Sequence, residues 1–265
     1  MTAPLIPDAL HSSHSSDAPD ATDRVGRLVR AAQSRVLVLL PSLLIIVFAL
    51  HFGRGRDFFD FHLTYTPSRP SDVVAGLLSR AGRTSILHDP HMIAYLVLPL
   101  FPLCASALYA LGRRVRPWVS LVGFALTLTG TIYMGGVFGM WTAFYGGIAT
   151  MDPSARDAAT LTLTALTAPH GAFLITTSLA KLTMAGLAVQ ALALVGARDL
   201  PKWSPLAVAT GASLFVAFWD LDNWMLIGAV LILVGFRPMR SQLVGITQDT
   251  PCRPFQTEVP TQLSP

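Results

Sequence analysis

Residues 167–196, TAPHGAFLITTSLAKLTMAGLAVQALALVG, form an almost wholly apolar run long enough to cross a bilayer, with Lys181 near its centre. A charge at that depth costs about 2.5 to 3.5 kcal/mol on insertion scales, so such a lysine is neutral, paired, facing water or snorkelling. His170 precedes Lys181 by eleven residues, which on a helix brings the two within about 20° of one another. Thr177 falls on the same face. His170, Thr177 and Lys181 therefore form a polar stripe about 16 Å long, suited to binding a lipophilic or anionic molecule, and are the ligand-binding candidates. The competing reading gives Lys181 only backbone carbonyls and the threonines of the neighbouring span as partners, a packing role.

A second constellation can be drawn from imidazoles and carboxylates. HDPH, residues 88–91, and WDLDNW, residues 219–224, place His88, His91, Asp220 and Asp222 at the same ends of apolar segments as His170. His91, His170, Asp220 and Asp222 are candidate catalytic groups for proton transfer, and His88, His91 and His170 are candidate metal ligands. The spacing matches no established metal motif. Each stretch also has a structural reading: Asp89 before Pro90 suits a helix start, and DLDN suits the tip of a hairpin.

These side chains need membrane helices to hold them. The chain has 265 residues, 52% hydrophobic and only 13% charged, the balance of one polytopic membrane domain. Six apolar segments lie near Val36–Phe52, His91–Leu111, Trp118–Met140, His170–Val195, Pro205–Trp219 and Asn223–Phe236. The expected fold is an all-α bundle of six transmembrane spans over residues 36–240. Residues 1–35 are expected to form a disordered basic N-terminal tail and residues 241–265 a disordered C-terminal tail. Arg24, Arg27, Arg30, Arg35, Arg113, Arg114, Arg116, Arg198, Lys202, Arg237 and Arg240 all fall on one side of such a bundle, which predicts that both termini are cytoplasmic. The basic residues mark topology and give no reason to expect nucleic acid.

Two outer loops carry helical patterns. SDVVAGLLSRAG predicts a surface helix capped by Ser71 or Asp72, with Val73, Val74, Leu77 and Leu78 on one side. MDPSARDAATLTLTALTAP predicts a second, capped by Asp152 with Pro153 at its first position. Gly135 and Gly139 allow close helix approach in the third span, while Pro41, Pro99 and Pro102 predict kinks in the first two. Cys104 and Cys252 provide neither a disulfide framework nor metal-type spacing.

Walker, dinucleotide-binding, G-x-S-x-G and H-E-x-x-H sequences are absent, and no cofactor is specified. GTIYMGGVFGMW, GARDLPKWSPLA and MLIGAVLILVGFRPM resemble the large group of small uncharacterised bacterial integral membrane proteins with about six spans. That resemblance implies the bacterial cytoplasmic membrane and no activity. The leading expectation is binding or movement of a small lipophilic or anionic molecule through an outward-facing polar cavity. The alternatives are a membrane-embedded enzyme acting on a lipid or isoprenoid, and a structural or assembly subunit with a membrane-protein partner.

Overall fold

The computed structural model describes residues 21–52, 69–79, 90–168, 172–219 and 221–245. Among these the chain is helical, without strands. The α-helices are α1 (Ala21–Phe52), α2 (Pro70–Ser79), α3 (Pro90–Val97), α4 (Leu100–Gly112), α5 (Pro117–Ala149), α6 (Arg156–Leu166), α7 (Ala172–Ala180), α8 (Leu182–Ala193), α9 (Trp203–Ala217) and α10 (Asp222–Gly245). Residues 1–20 and 246–265, which contain most of the two expected tails, lie outside the described residues.

Among the described residues, five stretches are long and apolar enough to cross a bilayer: Arg24–Leu50, Ile93–Gly112, Pro117–Ile148, Phe173–Ala193 and Asp222–Gly245. Leu96, Trp118, Ile132 and Ile175 are exposed on their outer surfaces, the lipid-facing pattern of an integral membrane protein. The expected fifth span corresponds to α9, an apolar helix of 15 residues and about 22 Å. That is shorter than the roughly 30 Å hydrocarbon core.

Helix boundaries move where local chemistry outweighs hydropathy. α1 begins at Ala21, well before Val36, because Arg24, Arg27 and Arg30 are good helix formers and Arg24 and Arg27 remain solvated on its surface. α10 likewise continues past Phe236, through Pro238, to Gly245. The second span is interrupted between Val97 and Leu100 at Pro99, as its proline predicts, whereas α1 runs through Pro41 unbroken. α2 starts one residue before the expected cap. Pro70 occupies its first position, and the Arg69 carbonyl accepts hydrogen bonds from the amides of Asp72 and Val73 at 2.9 and 3.2 Å.

Small residues set the core's two tightest seams. On α5, Gly123, Thr127 and Gly130 face Gly186, Gln190 and the Leu182–Thr183 backbone of α8. On α9, Ser204 and Gly211 face Gly235 and Gly228 of α10, and the Ser204 hydroxyl donates to the Gly235 carbonyl at 2.7 Å. α1 packs along α10, and Gln190 of α8 donates to the Ala105 carbonyl of α4 at 2.9 Å. Gly135 and Gly139 are not the close-approach positions. A Cβ at Gly135 would meet Leu98 at 3.6 Å and one at Gly139 would meet Tyr95 at 3.9 Å, ordinary contact distances.

α5 extends beyond the expected Met140 to Ala149, giving a helix about 50 Å long. Its C-terminal end carries a second core: Val74 of α2, Ile148 of α5, and Ala159 and Leu163 of α6 are buried together. Trp141 and Phe144 pack against them. The two loop helices therefore bury their apolar faces on each other and on α5, a small cap on the bundle.

Asp152 starts the segment leading into α6 as its spacing predicts. Its carboxylate accepts the Ser154 amide at 2.8 Å, and a 3-10 turn, Pro153–Ala155, precedes the helix. The Ser154 amide and then the Ser154 hydroxyl hold the Asp152 carboxyl below the ordinary carboxylate value. A lowered folded-state value means that its stabilising contribution exists above the unfolded value and is lost as pH falls through the folded one. Hydrogen exchange of residues 153–166 is expected to show weaker protection at about pH 3 than at pH 5, after correction for intrinsic rates. D152N keeps a capping oxygen and should abolish that pH dependence while retaining the helix. The same pH dependence in D152N would refute the assignment.

Candidate functional site

The fourth span consists of two helices meeting at Lys181, which retains right-handed helical backbone angles (φ −59°, ψ −22°). The Lys181 amide bonds to the Thr177 carbonyl at 3.3 Å, a long helical bond, and the Lys181 carbonyl accepts from Ala185 at 3.1 Å. Neither glycine nor proline lies at the break. Immediately after it, α5 makes its closest approach, where Gly130 presses on the Leu182–Thr183 backbone.

The side chains around the break leave polar atoms unmatched. Thr177 is half-buried, and its Oγ1 is sealed from solvent without a hydrogen-bond partner. Thr142 Oγ1 is buried and unmatched as well, whereas several other threonines in the chain are satisfied. Thr127, Thr131, Thr160 and Thr164 each donate to the carbonyl four residues back, at 2.7 to 2.9 Å. Thr183 Oγ1, on the α5 side of span four, is also buried and unmatched. Lys181 is half-buried, and among the described residues its ammonium has neither an ion-pair nor a hydrogen-bond partner.

Exposure along the helix locates the stripe. Leu174, Ile175 and Ser178 form the exposed side of α7, while Phe173 and Ala180 turn into the core. Thr177 and Lys181 stand one helical turn apart at the margin between those faces. The expected juxtaposition of these two residues is therefore present, but at the edge of the packed face. On the core side, Phe173 meets Trp141 of α5 edge to face at 4.8 Å. A helical turn carrying a hydroxyl and an ammonium beside apolar surface can bind an acidic headgroup attached to a hydrocarbon body.

The other candidates are distributed as follows. His170, His88 and Asp220 lie outside the described residues. His91 occupies the first turn of α3, and its side chain also lies outside the description. Asp222 is 7% exposed in the first turn of α10, beside the buried Asn223, whose Oδ1 accepts the Trp224 amide at 3.0 Å. Trp224 stacks on Phe218 at 4.7 Å, closing the tip between α9 and α10. Among the described residues no group of three or more His, Cys, Asp or Glu side chains is arranged to hold a metal.

Charge divides the ends of the bundle. Arg24, Arg27, Arg35, Arg113, Arg114, Arg116, Arg198, Lys202, Arg237 and Arg240 are exposed at one end. There Gln242 donates to the Asp199 carbonyl at 2.7 Å, tying α10 to the α8–α9 connection. The opposite end carries Asp72, Asp152, Asp157 and Asp222 with Arg69 and Arg156. Two concavities, about 780 and 460 Å³, lie at the basic end. Sequence reasoning identified neither, because each is enclosed by residues far apart in the chain or by helical turns beyond the expected spans.

No protein-family model, curated protein or solved structure matches the chain.

Proposed function

We propose that the chain is a six-crossing protein of the bacterial cytoplasmic membrane that binds or moves a small lipophilic anion along the outward-facing side of its fourth span. Both termini lie on the cytoplasmic side in this reading. Lys181 supplies the charge, Thr177 the hydroxyl and His170 the outer rim. The observation that carries the proposal is the pair of unmatched polar groups one turn apart, Thr177 Oγ1 and the Lys181 ammonium. An unmatched polar atom in an apolar setting is costly, and a bound carboxylate or phosphate satisfies both groups at once. The basic end supports the orientation through the positive-inside rule. In that orientation α9 crosses by thinning its surroundings or with flanking polar residues reaching the interface.

Titration with a fluorescent lipophilic carboxylate tests the proposal. K181M should bind the probe about 10- to 100-fold more weakly, the worth of one charge-assisted hydrogen bond, without a lower Tm. T177V should lose about fivefold. K181M with unchanged affinity and unchanged Tm would eliminate the site.

A further inference from the structure

The last turns of α10 and the adjoining turn of α1 enclose the larger concavity, about 780 Å³ and open to the outside. Val38 forms its α1 wall, and Leu233, Val234, Arg237, Arg240 and Ser241 line its α10 wall. Their spacing of three and four residues places the α10 set on one helical face.

Chemistry changes along that face. Val38, Leu233 and Val234 make the part nearer mid-span apolar, Arg237, Arg240 and Ser241 make the next turn basic and hydroxylated, and Val244 and Gly245 close the far end. Leu233 and Arg240 are separated by about 10 Å of helix. Pro238 lies within this stretch and has no amide to donate to the Val234 carbonyl, so the helical ladder opens where the groove changes character. Both arginines are exposed, and among the described residues neither guanidinium has a hydrogen-bond or ion-pair partner. No carboxylate lines this groove, whereas the smaller concavity places Asp199 beside Arg114 and Arg198.

We propose that this groove binds an anionic phospholipid. The guanidinium groups of Arg237 and Arg240 hold the phosphate, the Ser241 hydroxyl lies beside it, and an acyl chain runs along Val38, Leu233 and Val234. A guanidinium offers paired donors that match phosphate oxygens, and basic pockets between helices at the membrane surface suit anionic headgroups. The apolar half favours a lipid over free phosphate. Two unopposed cations favour a net-negative headgroup over a zwitterionic one.

The test is native mass spectrometry of the full chain in mild detergent, titrated with phosphatidylglycerol, phosphatidylcholine or inorganic phosphate. Phosphatidylglycerol should be retained in preference to phosphatidylcholine and should raise Tm. R237Q/R240Q should bind phosphatidylglycerol about 25-fold more weakly, roughly fivefold per arginine, and should lose the preference. R113Q/R116Q removes the same charge from the same end without touching the groove and should stay within about twofold of the unsubstituted chain. V234W keeps both arginines and should lose the lipid by filling the apolar half. Equal losses in R237Q/R240Q and R113Q/R116Q would reduce the effect to diffuse surface charge. Full displacement of the lipid by inorganic phosphate, or retention of the lipid by V234W, would overturn the lipid site.

Discussion

Gly130→Ala is expected to destabilise the protein by about 3 kcal/mol, the upper end of ordinary overpacking costs. A Cβ at Gly130 would fall on the Thr183 amide nitrogen and stand 2.6 Å from the Leu182 carbonyl carbon. These are backbone atoms, so no rotamer change can relieve the clash, and α5 must retreat from α8. Retreat would also loosen Gly123, where a Cβ would stand 2.8 Å from the Gly186 carbonyl oxygen. Gly146→Ala provides the comparison. It lies on the same helix with nothing within 4 Å of the added carbon and should be neutral or stabilising by up to about 1 kcal/mol through helix propensity. Equilibrium unfolding in mixed detergents measures both. Indistinguishable midpoints for G130A and G146A would contradict the described seam.

The α9–α10 seam yields the second large effect. A Cβ at Gly211 would stand 2.5 Å from the Gly228 carbonyl oxygen, and one at Gly228 would stand 2.7 Å from the Gly211 carbonyl oxygen. Gly228 also abuts the Phe215 ring, at 3.0 Å. Each single alanine should cost about 2 kcal/mol. The double variant should cost clearly less than the sum, because separating the helices to admit one methyl also admits the other. A double-mutant cycle in the same unfolding assay resolves this, and strict additivity would mean that the glycines do not oppose each other.

The sequence identified the apolar segments and their charged ends because hydropathy and arginine placement are properties of contiguous chain. It also identified Asp152 as a start signal and Pro99 as a break, since both act within a few residues. The seam around Gly130 was less accessible. Gly130, Gly135, Gly136 and Gly139 look alike in sequence, and only the rotation of α5 brings Gly130 against the α8 backbone while Gly135 meets the flexible end of Leu98. The C-terminal end of α5 was hidden because Gly146 and Gly147 resemble a loop, although burial of Ile148 against Val74 and Leu163 supports the helix. Helical periodicity places Lys181 and Thr177 one turn apart. Their position at the edge of the packed face depends on which neighbours α7 has, chiefly α5, and periodicity carries no such information.

The small core joining α2 and α6 also imposes an order on assembly. Val74 must find Ala159 and Leu163, and the chain that separates them contains α3, α4 and α5. At synthesis rates of about 5 to 20 residues per second, α2 is complete on the order of 5 to 20 s before its partner emerges. The docking of α2 on α6 therefore follows delivery of the intervening helices.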